Sequence, residues 1–170
     1  MKIVYVRDIL LHELQDIYSA EQQVISALPK LAEQASSGKL KKSFLDHHQQ
    51  TLKQLKRLQQ ISTEMNMELE GHFCMGMEGL IKESASLLGQ TKSPAVDAGL
   101  ISVARRIEHY EIAAYSSALA YAQALRKSKV VRMLQTSLNE ELRSDKKLSV
   151  ITQSSVLPKL TTKKHTRKDV

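Results

Sequence analysis

Apolar side chains recur along the first part of the chain at Leu10, Leu14, Ile17, Val24, Leu28 and Leu31. The steps are four, three, seven, four and three, the rhythm of one buried stripe on an α-helix. The missing member of that series is position 21, and it is glutamate. A carboxylate in the middle of a buried seam needs a physical reason, because an ionised group taken out of water without a partner is strongly unfavourable.

The same periodicity predicts five helical segments, over about residues 5–35, 39–66, 76–89, 94–126 and 128–151. Gly38 suits the position just past the end of the first helix. Pro29 lies inside that helix and should bend it or remove a hydrogen bond. Ser93 and Pro94 read as the N-cap and first residue of the fourth. Short turns make the first two long helices one antiparallel hairpin and the last two another. Between the hairpins lie about 27 residues, enough to run the length of a bundle. Two hairpins joined by one long crossover, here carrying a short extra helix, form the ferritin-like four-helix bundle, an all-α fold.

Each long helix carries polar residues in its seam. The fourth segment reads Ile101, Ala104, Glu108, Glu111, Tyr115, Ala118, Ala122 and Leu125. The fifth reads Val131, Leu134, Leu138, Glu141, Asp145 and Leu148. The second admits two registers. One is Leu40, Phe44, His47, Thr51, Leu58 and Ile61, with Gln50 near its edge; the other is Leu45, Leu52 and Leu55. Glu21, His47, Gln50, Glu108, Glu111, Glu141 and Asp145 all fall within about five residues of the middle of their helices, roughly 7.5 Å along the axis. In a bundle of equal helices they meet in one layer.

Five carboxylates in one layer need shared protons, a Lys or Arg partner, or a metal. Arg105 and Arg106 adjoin Glu108 but point off its face, and no basic residue occupies the seams at this height. A metal is the most economical remedy. Carboxylates with imidazole suit iron or manganese, and two ions would offset four or five negative charges. Tyr18 and Tyr115 read as core aromatics with a hydroxyl partner, His109 as an outer residue, and Cys74 as buried packing.

The strings DIYSAEQQVISALPKLAE, CMGMEGLI, RRIEHYEIAAY and SLNEELRSDKKL resemble the YciE/YciF family of bacterial ferritin-like proteins over about residues 6–150. The resemblance implies a ferritin-like bundle, a homodimer, a link to bacterial stress responses and a di-metal centre. Glu21, Glu108, Glu111, Glu141 and Asp145 stand where the family's motifs have their acidic residues. One stretch departs: His47-His48-Gln49-Gln50-Thr51 takes the place of the family's H-L-E-E-T, so Gln50 replaces a glutamate. A neutral amide is a weaker metal ligand, which leaves occupancy and nuclearity open.

Composition changes this picture little. Of 170 residues, 42% are hydrophobic and 25% charged, with six Gly and three Pro, which favours few long elements. The first residues lack a signal peptide's apolar run, no stretch is long enough to span a membrane, and the single Cys74 suits a reducing cytoplasm. The net charge is +7, of which +4 lies in residues 153–170, where Lys159, Lys163, Lys164, Arg167 and Lys168 oppose Asp169. Residues 1–152 are thus expected to form the bundle and 153–170 a disordered basic tail, able to touch nucleic acid or other polyanions only non-specifically. No phosphate loop, nucleophile motif or zinc pattern is present. A second reading is non-enzymatic, a dimeric helical scaffold whose metal site has degenerated.

Overall fold

The structure is a computed structural model describing residues 3–161. Its long helices are α1 (Val6–Gln34), α2 (Gly38–Met65), α4 (Val96–Ala124) and α5 (Ser128–Ile151), with α3 (Met75–Gln90) on the crossover. A π-helical turn, Thr152–Val156, leads into a short α6 (Leu157–Thr161). The long helices form a closed ring in which α1 neighbours α2 and α4, and α5 neighbours the same two.

Their direction follows from which residues share a core. Leu28 and Leu31 of α1 pack with Leu40 and Phe44 of α2, Leu100 and Ile101 of α4, and Leu148 and Ile151 of α5. At the other end Leu10 and Leu14 meet Leu58 and Ile61, Ala118 and Ala122, and Val130 and Leu134. So α1 and α5 run one way and α2 and α4 the other, and every adjacent pair is antiparallel. The crossover then has to return the chain along the bundle, as in ferritin-like folds. It does so packed against α1 and α4, with Met67 and Leu69 buried in one core and Cys74 and Met77 in the other.

Helix ends differ from expectation at two places. Gly38 is the first residue of α2 rather than the close of α1, because the Ser37 hydroxyl accepts from Leu40 N at 3.5 Å and starts a helix there. Ser93 and Pro94 form a turn closed by Ala95 N donating to Lys92 O at 2.9 Å, and α4 begins at Val96. Helix α1 continues through Pro29. Cys74 Sγ takes a capping role, accepting from Met77 N at 3.3 Å.

Residues 153–161, expected within the disordered tail, are helical. Val156 is buried against the α1–α4 end of the core and Leu160 packs beside it, so apolar contact carries the helical chain to Thr161. The remainder of the basic segment, 162–170, lies outside the described residues.

Where α3 starts, Gly76 faces the ring of Tyr110, and a Cβ there would lie 2.8 Å from Tyr110 Cε2. Gly79, one turn on, has open space around it. Gly76→Ala should therefore destabilise the fold by about 1–3 kcal/mol through overpacking. Gly79→Ala should stabilise it by about 0.5–1 kcal/mol through helix propensity. Urea unfolding of both variants checks the opposite signs; equal effects would contradict this packing.

Candidate metal centre

The two apolar cores are separated by a polar layer. Helix α1 supplies Glu21, α2 supplies His47, Thr51 and Gln54, α4 supplies Glu108 and Glu111, and α5 supplies Ser137 and Glu141, all buried. Each position continues its helix's apolar stripe, so burial of the neighbouring Leu, Ile and Val residues turns these groups inward. His47, Glu108, Glu111 and Glu141 each offer a ligand atom, all within 4.8 Å of one another.

Hydrogen bonds orient part of the layer. His47 Nδ1 lies 2.8 Å from Glu108 Oε1, and its Nε2 lies 3.7 Å from Glu141 Oε2. The Gln54 amide donates to Glu141 Oε1. The Tyr115 hydroxyl donates to Glu21 Oε1 at 2.6 Å. Glu21 stands beside the four-residue group, close enough that its charge acts on Glu111.

No lysine or arginine is among the buried polar residues described, which removes direct pairing as the remedy. Burial pushes Glu108 from the ordinary 4.5 up to about 8. Glu21, Glu111 and Glu141 are raised well above the carboxylate range, first by burial and then by mutual repulsion, Glu141 with relief from His47. Burial and the Glu21 charge likewise hold the Tyr115 phenol protonated.

Eight buried side-chain atoms among the described residues lack a hydrogen-bond partner: Glu21 Oε2, His47 Nε2, Thr51 Oγ1, Gln54 Oε1, Glu108 Oε2, both oxygens of Glu111 and Glu141 Oε2. All eight belong to this one layer. Buried polar atoms are normally satisfied, and six of these eight are carboxylate or amide oxygens. The donor set, oxygen with one imidazole nitrogen, fits a hard or borderline divalent cation.

Besides Glu21, two predicted ligands lie outside the four-residue group and contact other side chains. Asp145, four residues past Glu141, is turned about 40° round the helix. That brings it to the α4 flank, where Arg105 holds it through Nε at 2.7 Å and Nη2 at 3.3 Å. His109 Nε2 lies 3.3 Å from the same carboxylate, outside the layer as expected. Arg105, which points off the Glu108 face, thus serves the flank. Gln50 is half-buried, and its amide donates to Ser144 Oγ at 3.4 Å across the α2–α5 boundary. Gln54 is the buried polar position of the layer that the periodicity left unnamed. In the α2 series 40, 44, 47, 51, 58, 61 a blank falls at 54, the same signal that marked Glu21.

Fold and layer together define a ferritin-like helical bundle with an acidic, histidine-bearing interior. The chain belongs to the family described as "Domain of unknown function (DUF892)", whose profile matches residues 5–161, and is a YciF-like member of it. It is 37% identical to Protein YciF of Escherichia coli (strain K12) over 158 residues, which cover 92% of this chain and 95% of that protein. The crystal structure of the E. coli stress protein YciF matches with a TM-score of 0.86 at 35% identity, over 95% of this chain and 100% of that one. YcfI from Rhodopseudomonas palustris matches with a TM-score of 0.84 at 40% identity, over 87% and 95% of the two chains.

The raised carboxyls make stability depend on pH in the absence of metal. Their folded-state pKa values exceed the unfolded ones, so the folded protein keeps protons that the unfolded chain releases. Their contribution is full below about pH 4.5 and falls as pH climbs, with Glu108 ionising at about 8. Metal-free protein should therefore unfold at progressively lower urea between about pH 5 and 8, once other groups are controlled for with Glu111→Gln. That variant should flatten the profile and add about 1–3 kcal/mol near pH 8, because glutamine is neutral without holding a proton that the unfolded chain releases. A wild-type midpoint that rises over this range, with Glu111→Gln neutral, would contradict the burial of ionisable glutamates.

Proposed function

We propose that this YciF-like protein is a stress-associated bacterial metalloprotein holding a dinuclear iron or manganese centre in the polar layer. His47, Glu108, Glu111 and Glu141 would hold the ions, with Glu21 as a further oxygen donor. Gln54 and Tyr115 orient two of these carboxylates through the hydrogen bonds they donate. The observation that carries the reading is the convergence of eight unpartnered buried atoms on one layer containing no basic partner except an imidazole. Such a centre, when bound, supplies electron exchange with oxygen or peroxide. Among the described residues, none outside the layer selects a particular reaction or substrate. The reading extends to a cytoplasmic homodimer, supported by likeness to the family and by the lone thiol Cys74.

The competing reading, a non-enzymatic helical scaffold with a degenerate site, draws on the glutamines. Gln50 and Gln54 place neutral amides on the helix that also bears the only described histidine of the layer. The two readings separate by metal content. Protein purified without added metal, analysed by plasma mass spectrometry, should carry close to two ions per chain. Glu108→Ala and Glu141→Ala should lose them, while Asp145→Asn should retain them because its carboxylate is held by Arg105. Adding iron(II) or manganese(II) at a hundredfold excess over its dissociation constant should stabilise the metal-free wild type by about 2.7 kcal/mol per site, and the alanine variants much less. Metal-free protein with no shift on loading would leave the scaffold reading standing.

A further inference from the structure

The polar layer is sealed by the two apolar cores along the bundle axis, and its path to solvent runs sideways. Between α2 and α5 lies a cavity of about 100 Å³ that reaches His47. Gln50 and Ser144 line it from opposite helices, and their single contact, 3.4 Å long, spans it. A hydrogen bond of that length between a half-buried amide and a hydroxyl is weak and easily parted. Outside it, Asp46 on α2 accepts from Lys42 at 2.8 Å and from Lys147 of α5 at 3.0 Å. Arg143 completes the lining.

The charge at this mouth is one-sided. Asp46 is matched by Lys42 and Lys147, and Arg143 adds a further cation. The opening also borders a wider cleft on the same two helices, to which Lys39 and Lys146 contribute. Five cationic side chains, Lys39, Lys42, Arg143, Lys146 and Lys147, thus stand there against one acid. A basic rim over a low-dielectric channel concentrates anions and repels cations. The channel itself, lined by an amide and a hydroxyl, offers neutral hydrogen-bonding groups to a small polar molecule.

We propose that the α2–α5 opening is the passage by which small anionic ligands, and neutral oxygen species of similar size, reach the centre, with the Gln50–Ser144 contact as its door. The inference rests on the metal reading above. It gives Gln50 a role at the threshold: it stands next to the ligand helix face, yet its amide bonds across the gap and not to the layer. A glutamate there would place a negative charge in the path of an incoming anion.

The test uses the full chain loaded with cobalt(II), whose visible absorption reports ligand binding, and azide as the small anion in stopped-flow mixing. Gln50→Ala should speed azide binding, and Ser144→Phe should slow it, both with the wild-type cobalt stoichiometry. Lys147→Glu should slow it by about three- to tenfold at low ionic strength, an effect that disappears in about 0.5 M salt. If the wild type binds no cobalt, the metal reading falls and this inference with it. If cobalt is bound at full stoichiometry but azide binds all three variants at the wild-type rate, the passage is refuted and the centre stands.

Discussion

The structure depends on one conflict: four glutamates are held out of water by apolar residues above and below them. Leu and Ile side chains on both sides of the layer pack into separate cores, and each core is made by all four long helices. Burying a Leu or Ile is worth about 1.5–3 kcal/mol, and the sum over both cores fixes the helices in rotation. Rotating one helix to hydrate its glutamate would expose its whole apolar stripe. The carboxyls therefore cannot escape to solvent, and their charge has to be neutralised where they are, by protons or by cations.

The neighbours of the layer are arranged to keep the groups in place as their charge changes. Helix α5 is pinned on two sides at the height of Glu141. On one side Arg57 of α2 donates to Ser137 Oγ at 2.6 Å and to Glu140 Oε2 at 3.0 Å. On the other Arg105 of α4 grips Asp145 through two bonds. Surface ion pairs usually contribute little, but these carboxylates are only about a fifth exposed and the Arg105 pair is two-pronged. They set the register of α5 against both neighbours, and so the position of Glu141 relative to His47 and Glu108. Asp145 thus has a charged partner in Arg105, which accounts for an acidic residue at this position.

Glu21, His47, Glu108, Glu111 and Glu141 were legible because each interrupts an apolar series at 3–4 spacing, and a charged residue in a stripe is conspicuous. Asp145 carries the same signature yet faces a flank. Periodicity fixes a residue's angle only to within tens of degrees, and a guanidinium on the next helix decides the rest. Gln54 was hidden by its neutrality: the blank it leaves between Thr51 and Leu58 has the same form as the blank at Glu21. The bundle and its long crossover followed from helix lengths and turns alone. The helix ends at Gly38 and Pro94 did not, because a glycine or proline near a boundary is compatible with either side of it, and the actual cap depends on which hydroxyl meets a free amide. The helical continuation through Val156 was masked by the basic composition around two apolar contacts.

Charge balance links the number of ions to the number of protons. The layer holds four carboxyls, Glu21, Glu108, Glu111 and Glu141, and one imidazole. Fully ionised with a neutral imidazole, it carries a charge of minus four, which two divalent cations offset. One divalent cation offsets only half of it, and the raised pKa values mean that the remaining carboxyls would hold protons. Gln50 and Gln54 matter in this account because a carboxylate at either position would add a fifth negative charge to the interior or its threshold. The amides keep the bundle at the count that two divalent ions can neutralise. They also leave the metal-free state with fewer charges to protonate, so amides at these positions make the empty bundle easier to fold than carboxylates would.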